Sequence, residues 1–388
     1  MSQTPLSDIR VLDLTRLLPG PYCSLLLAHL GAEVIKVETP RIGDYSRYLP
    51  PEIGGDALFA SVNRGKKSVA LNYRNPRGRQ LLLELVQTAD VFLEGFRPGR
   101  VGHWEIGYDD LRSSNPRLIY CSLSGYGQQG PYSQRAGHDL NYIAAGGLLG
   151  LNGSAGGPPI PPSAQIADLA GGMLAAIAIL AALLRRERTG RGEYLDVALL
   201  DAVVSWAMPM ATSGYLRGGP APERGRMPLA GGLPCYNVYR TSDGGYLALG
   251  ALEPPFWSAF CEASGHPELL GRQFDYEAIP LVAELFATRS QTEWFRVLGE
   301  QDACLEPVLS IPQMAAHPQV VSRGLVIPPG EPSRENRAAL GSPLHLEGLP
   351  RLGDPPALGA QTRELLGQLG SSPEELEELE ARGIIRSG

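Results

Sequence analysis

A chain of 388 residues is longer than one ordinary hydrophobic core serves, so two domains are expected. Its formal net charge of −7 argues against a general nucleic-acid binder, which needs a basic surface to neutralise phosphates. With 47 glycines and 34 prolines the chain is rich in loops, yet it falls short of the ~25–30% combined share typical of disordered, low-complexity sequences. The five cysteines, Cys23, Cys121, Cys235, Cys261 and Cys304, are widely spaced and form no Cys-x-x-Cys pair. Neither a disulfide framework nor a metal site is indicated, and a cytoplasmic setting is expected.

Met1 to Ile9 lacks a basic region followed by an apolar stretch, so no signal peptide is expected. Ile9 to Leu14 reads as a strand, Tyr22 to Leu30 as a helix after the Pro19-Gly20-Pro21 turn, and Glu33 to Glu38 as a second strand. This is a β-α-β unit whose ligand edge lies at the carboxyl ends of its strands. No Gly-x-Gly-x-x-Gly follows the first strand, so the unit does not announce NAD binding. Further strands are predicted at Ser68 to Asn72, Val91 to Glu94 and Leu118 to Leu123, with a helix at Pro76 to Thr88. The alternation predicts a Rossmann-like, doubly wound α/β domain.

Gly/Pro-rich chain runs from Ser124 to about Gln165, and Gly137 to Tyr142 within it reads as loop. An apolar helix then opens at Asp168 and stops near Gly190, with Arg185, Arg186 and Arg188 in its last turn. Its apolar stretch, Leu169 to Leu184, is shorter than the ~20 residues a bilayer needs and reads as a buried helix, with no membrane partner expected. A strand at Glu193 to Ala198 and a helix at Leu200 to Tyr215 follow.

Residues 216–233 are expected to be a linker into a smaller α+β domain at 234–330, which opens with the hairpin Tyr236 to Arg240 and Tyr246 to Gly250. Helices are predicted at Pro255 to Ala263, Ile279 to Thr288 and Gln291 to Gln301. A return linker at 331–339 leads back to the large domain, which comprises 1–215 together with 340–388. The last predicted helix has Ser372 as cap, Pro373 in the first turn and Glu375 completing a capping box.

Two residues carry the chemical argument. Asp168 stands at a helix start, where unpaired N–H groups create a partial positive field that would welcome an oxyanion. Gly171 and Gly172, each costing a helix roughly 1 kcal/mol relative to alanine, fit either close ligand approach or small-residue helix packing. With His138, Asp168 makes a candidate acid/base pair of the kind that proton removal beside a carbonyl requires, the plain alternatives being a loop histidine satisfied by the backbone and an ordinary helix cap. The carboxylate could instead attack a thioester and become acylated. Basic residues at Asn63 to Ser68, with Lys66 and Lys67, and at Phe96 to Arg100, with Arg97, are expected phosphate contacts or solvated loop charge.

The stretches Leu12 to Leu14, Pro19 to Pro21, Leu30 to Glu38, Asn63 to Ser68, Phe96 to Gly99, Ser124 to Gln128 and Ala303 to Val308 resemble the family III CoA-transferase (CaiB/BaiF-type) family over nearly the whole chain. Gly137-His138-Asp139-Leu140-Asn141-Tyr142, the spacing from His138 to Asp168, Gly250-Ala251-Leu252-Glu253-Pro254 and Gly95 before Phe96 are similar to its α-methylacyl-CoA racemase branch. The resemblance implies an acyl-CoA thioester as substrate with no further cofactor, and epimerisation of a 2-methylacyl-CoA at its α carbon. His138 and Asp168 would be the acid/base residues and Glu253 would support His138. It implies CoA or substrate contacts at Lys66, Lys67, Ala70, Leu71, Asn72, Arg97, Gly137, Asp139, Asn141 and Tyr142. It also implies a ring-shaped chain interlocked in a homodimer, with Glu253 reaching His138 across the subunit interface. The pattern departs from that branch at Thr39 and His103, where the branch has basic residues. In the transferase branch Asp168 would be the acylated nucleophile, and a non-enzymatic acyl-CoA-binding protein is a third reading.

Overall fold

The computed structural model describes residues 4–207, 213–328 and 339–388. The chain forms two compact units. The first comprises Met1–Gly146, Ala164–Ser205 and Ser322–Gly388, and the second Gly147–Ser163 and Trp206–Val321. Of the expected return linker, 331–338 lies outside the described residues, as do 208–212 of the helix predicted to run to Tyr215.

In the first unit β1 (Arg10–Asp13), α1 (Pro19–His29), β2 (Glu33–Glu38), α2 (Ala57–Val62), β3 (Lys67–Leu71), α3 (Pro76–Gln87), β4 (Val91–Glu94), α4 (Arg100–His103), α5 (Tyr108–Ser114) and β5 (Ile119–Ser124) follow in order. Then come α6 (Asp139–Ala145), α7 (Leu148–Leu151) of the second unit, α8 (Ile166–Thr189), β6 (Glu193–Ala198) and α9 (Leu199–Ala207). The central sheet has strand order β3-β2-β1-β4-β5-β6, all parallel. That is the doubly wound order, which reverses direction between β1 and β4.

Alternate strand residues face opposite layers. Leu12, Ile35, Val37, Val69, Leu71, Phe92 and Tyr120 share a core with Leu81, Leu82 and Leu85 of α3 and Leu111 of α5. Helices α1 and α8 cover the opposite face. With 24 residues, α8 is long and apolar enough to cross a membrane, so the shortness expected of it does not hold. Half of its apolar window is buried, packed against α1, β5 and β6.

Helix α8 also settles its two glycines. A Cβ on Gly171 would stand 2.2 Å from Leu199 Cδ2, and one on Gly172 would stand 2.5 Å from the Pro19 carbonyl oxygen. Both serve helix packing rather than ligand approach.

The second unit holds α10 (Ser213–Leu216), β7 (Tyr236–Arg240), β8 (Tyr246–Gly250), α11 (Pro254–Ser264), α12 (Ile279–Phe286), α13 (Gln291–Leu298), β9 (Leu305–Pro307) and α14 (Ile311–Ala315). β7, β8 and β9 form an antiparallel meander, and Trp257, Phe260, Phe286 and Trp294 fill its core. Helix α15 (Pro318–Ser322) leads out of this unit, and the paired strands β10 (Val326–Ile327) and β11 (Ala339–Leu340) already belong to the first.

Back in the first unit, α16 (Thr362–Gln368), α17 (Pro373–Ala381) and β12 (Ile385–Arg386) close the described chain. β12 adds antiparallel to β3 at the sheet edge. The expected capping box of α17 is only half present. Ser372 Oγ accepts from Glu375 N at 3.2 Å, while the Glu375 carboxylate is drawn away to the guanidinium of Arg77 on α3.

Candidate active site

A cavity of about 330 Å³ lies where the strand order reverses. Its wall is built from the β1–α1 loop (Thr15, Arg16, Leu17), the β4 exit (Gly95, Phe96, Arg97), the β5 exit (Ser124, Gly125) and the start of α6 and α8 (Gly137, His138, Tyr142, Asp168). This is the crevice at the strand carboxyl ends that open α/β sheets offer to ligands.

The β1–α1 loop is held from below by a buried charge network. Lys66 Nζ sits 3.3 Å from Asp13 Oδ2 and donates to Ser24 Oγ, Asn63 Oδ1 and the Pro21 carbonyl. Lys36 Nζ pairs with Asp44 at 3.0 Å and donates to the Thr15 carbonyl. Burial alone would raise the Asp13 carboxyl, but Lys66, Lys36 and the hydroxyls of Ser24 and Thr15 outweigh it and hold the group at about 2. Burial lowers the Lys66 ammonium to about 8, against the pull of Asp13. Leu17, in the left-handed region at φ 64°, has its N–H anchored on the Asp44 carboxylate. A Cβ on Gly20 would stand 2.2 Å from Thr15 Cβ, so only glycine fits there.

Lys66 therefore cannot serve as the expected phosphate contact: its ammonium is wholly enclosed. Lys67 is engaged by Glu33 and Glu364. Ala70 and Leu71 are core residues of an edge that β12 covers. Ala70 N donates to Thr362 Oγ1 and Asn72 N to the Ile384 carbonyl, so the backbone expected to approach CoA there is already paired. None of these five residues lines the cavity, whereas Arg97 does. Arg16 and Arg135, which the sequence reading did not single out, line it too. Arg16 lies in the loop that leaves β1, a position that itself signals the ligand edge. Its guanidinium lies 5.0 Å from the Phe96 ring centroid. Arg135, inside Gly/Pro-rich chain, carried no such signal.

The stretch read as loop around His138 is a helix start. His138, exposed, is the N-cap of α6, and its N–H donates to Asn141 Oδ1 at 3.0 Å. Asn141 thus shapes the turn. The Tyr142 ring fills the space two glycines leave: a Cβ would stand 2.4 Å from its Oη on Gly125 and 2.7 Å from its Cε1 on Gly137. Its hydroxyl donates to the Gly137 carbonyl at 2.7 Å, and burial beside Asp168 and Tyr126 pushes its pKa up to about 12.

Asp168 is not the cap of α8. Gln165 is, and Asp168 falls within the first turn. The amides of Ala167 and Asp168 both donate to Asp139 Oδ1, at 2.6 and 3.2 Å. The oxyanion site expected on this turn is filled by Asp139. Burial, and then the Asp139 charge, raises the Asp168 carboxyl to about 7, where it can both give and take a proton near neutrality.

Gly95 also lines the cavity, and a Cβ there would meet only ordinary contacts, 3.5 Å from the Leu123 carbonyl oxygen. Packing does not require this glycine. Ser124 contributes a buried hydroxyl with no hydrogen-bond partner. Beneath the β4 exit, Glu94 accepts from Phe96 N at 2.7 Å and from Ser122 Oγ, and burial raises its carboxyl to about 7. Glu253 lies in the second unit, exposed at the N-cap of α11. Among the described residues no group of three His, Cys, Asp or Glu is arranged to hold a metal.

A doubly wound sheet with an acid/base cavity at its switch point defines the class of an α/β enzyme. The CoA-transferase family III matches residues 6–362, and the chain belongs to that family. It is 36% identical to the α-methylacyl-CoA racemase of Homo sapiens over 98% of both chains. It is 34% identical to the succinyl-CoA:glutarate CoA-transferase of Mus musculus, over 99% of this chain and 91% of that one. Among solved structures it resembles a CAIB/BAIF family protein from Brucella suis with a TM-score of 0.81 and 29% identity, covering 95% of this chain and 100% of that one.

Proposed function

We propose that the protein epimerises 2-methylacyl-CoA thioesters at the α carbon by proton transfer through an enolate, with His138 and Asp168 exchanging the α proton. The observation that carries this reading is that His138 and Asp168 line one cavity in which Asp168 is raised to about 7. A carboxyl near neutrality suits acid/base work. One of the pair accepts the α proton, leaving the electron pair in the enolate, and the other returns a proton to the opposite face. Arg16, Arg97 and Arg135 supply local positive charge for an anionic ligand on a chain of net charge −7. By resemblance, Glu253 supports His138.

The transferase reading, with Asp168 as an acylated nucleophile, is favoured by the relatives that move CoA between acids. It has no use for His138. Incubation with one epimer of a 2-methylacyl-CoA in D2O separates the two. The epimerase incorporates α-deuterium and loses optical activity; absence of exchange together with CoA transfer to an added carboxylate sinks the proposal. His138→Ala is expected to lower exchange by about 10²–10⁴-fold, and retained exchange in this variant counts equally against it.

A further inference from the structure

The acid/base pair is fastened by a third residue that does not itself line the cavity. Asp139 is the first residue of α6, joined by a peptide bond to His138. It is buried, and its Oδ1 accepts the two amides at the start of α8, one of them belonging to Asp168 itself. One carboxylate thus ties the helix start that carries His138 to the helix start that carries Asp168.

We propose that Asp139 is the positioning residue of this site, fixing Asp168 against His138 through the α8 amides and keeping Asp168 in its proton-holding form through its negative charge. The proposal rests on the reading of Asp168 as an acid/base group, but its test does not. Burial raises the Asp139 carboxyl, and the two N–H donors it accepts pull against that rise in favour of the anion. Asp168 gains no such donors and has that anion as its near neighbour, and of two close carboxyls the less well hydrogen-bonded one keeps the proton.

The other groups facing Asp168 do not supply this effect. Tyr142 of α6 is neutral, with its hydroxyl committed to the Gly137 carbonyl. His138 at the α6 N-cap, Arg16 of the β1–α1 loop, Arg97 beyond β4 and Arg135 before α6 share the cavity wall with it, and Tyr45 completes the rim. When charged, His138 and the three arginines favour the ionised carboxylate, and Tyr45 is neutral. Burial and Asp139 alone act in the other direction.

The test uses the full chain labelled with 13C at the aspartate side-chain carboxyl. The Asp168 resonance is assigned by its loss in Asp168→Asn and titrated by NMR in wild type, Asp139→Asn and Asp139→Ser. Asparagine and serine each keep an oxygen to accept the α8 amides while removing the charge, so either variant serves if the other fails to fold. The expected result is a downward move of the Asp168 titration by about one unit or more, with the acid limb of any exchange profile moving alongside. An Asp168 titration unchanged in a folded, charge-free variant overturns the proposal. If the titration moves while the wild type shows no α-proton exchange, Asp139 keeps its assigned role and the epimerase reading falls alone.

Discussion

At the residue scale, the cavity shows how single atoms decide what can stand where. Gly20 and Gly95 both line it, yet they answer to different constraints. Gly20→Ala would drive a methyl into the Thr15 side chain, and overpacking of this kind typically costs 1–3 kcal/mol. Chemical denaturation should show that loss. Gly95→Asn meets no such obstacle, so it should leave stability within about 0.5 kcal/mol. Its side chain would occupy cavity space, and α-proton exchange should fall. An unfolded Gly95→Asn variant would contradict this account. Lys66→Ala strands the buried Asp13 carboxylate and should cost about 3–5 kcal/mol, with partial recovery in the double variant that also carries Asp13→Asn.

The same scale explains which site residues could be read in advance. His138, Tyr142, Asp168 and Arg97 were legible because each sits at a motif or a strand exit, and all four reach the cavity. Lys66 was misread because sequence gives its charge but not its direction; a lysine between Gly65 and a strand looks solvated, while the fold turns it inward onto Asp13. The part played by Asp139 was invisible. It depends on an amide 28 positions away, a relation that no local pattern encodes.

At the scale of elements, strands β2 and β4 and the β7–β8 hairpin follow their sequence patterns to the residue. Apolar runs bounded by turn residues fix such strands. Elements whose partners are distant were missed. β9 and β12 are short and exist because β8 and β3 offer them ladders, and α6 begins inside a Gly-rich stretch whose glycines make room for Tyr142. Helix α17 shows the converse: its sequence signals a reciprocal cap, but Glu375 is taken by Arg77. Glu375→Gln should therefore weaken the joint between α17 and α3 by about 0.2–1 kcal/mol, the range of an exposed pair, and lose most of that effect in high salt.

At the scale of the whole molecule, two carboxyls raised to about 7 set an acid-leaning stability. Asp168 and Glu94 move from ordinary values of 3.8 and 4.5 to about 7 in the fold, so the folded protein holds protons that the unfolded chain has released. Their stabilising contribution is complete below about pH 4 and is lost as pH rises through 7. His29, lowered to about 4 by burial and Arg64, acts oppositely, but its effect is half spent at its unperturbed 6.5 and fades above it. The Asp13 gain is nearly complete by about pH 5, and Lys66 reaches its midpoint only at about 8. Between about pH 6.5 and 7.5 the two carboxyls dominate, and the melting temperature should fall. Glu94→Gln should flatten that decline; a steeper one would refute the assignment.

The antiparallel strand beside β3 also bears on how the molecule is made. The hydroxyl that caps Ala70 N comes from a residue 292 positions later, and β12 follows that residue in turn. During synthesis β3 therefore emerges long before its neighbour exists, presenting an open ladder to any other strand nearby. Nascent chains stalled before β12 should bind holdase chaperones and seed aggregates, and chains released beyond it should not. The ribosome's schedule, as much as the finished architecture, makes the last strand the guardian of the first sheet.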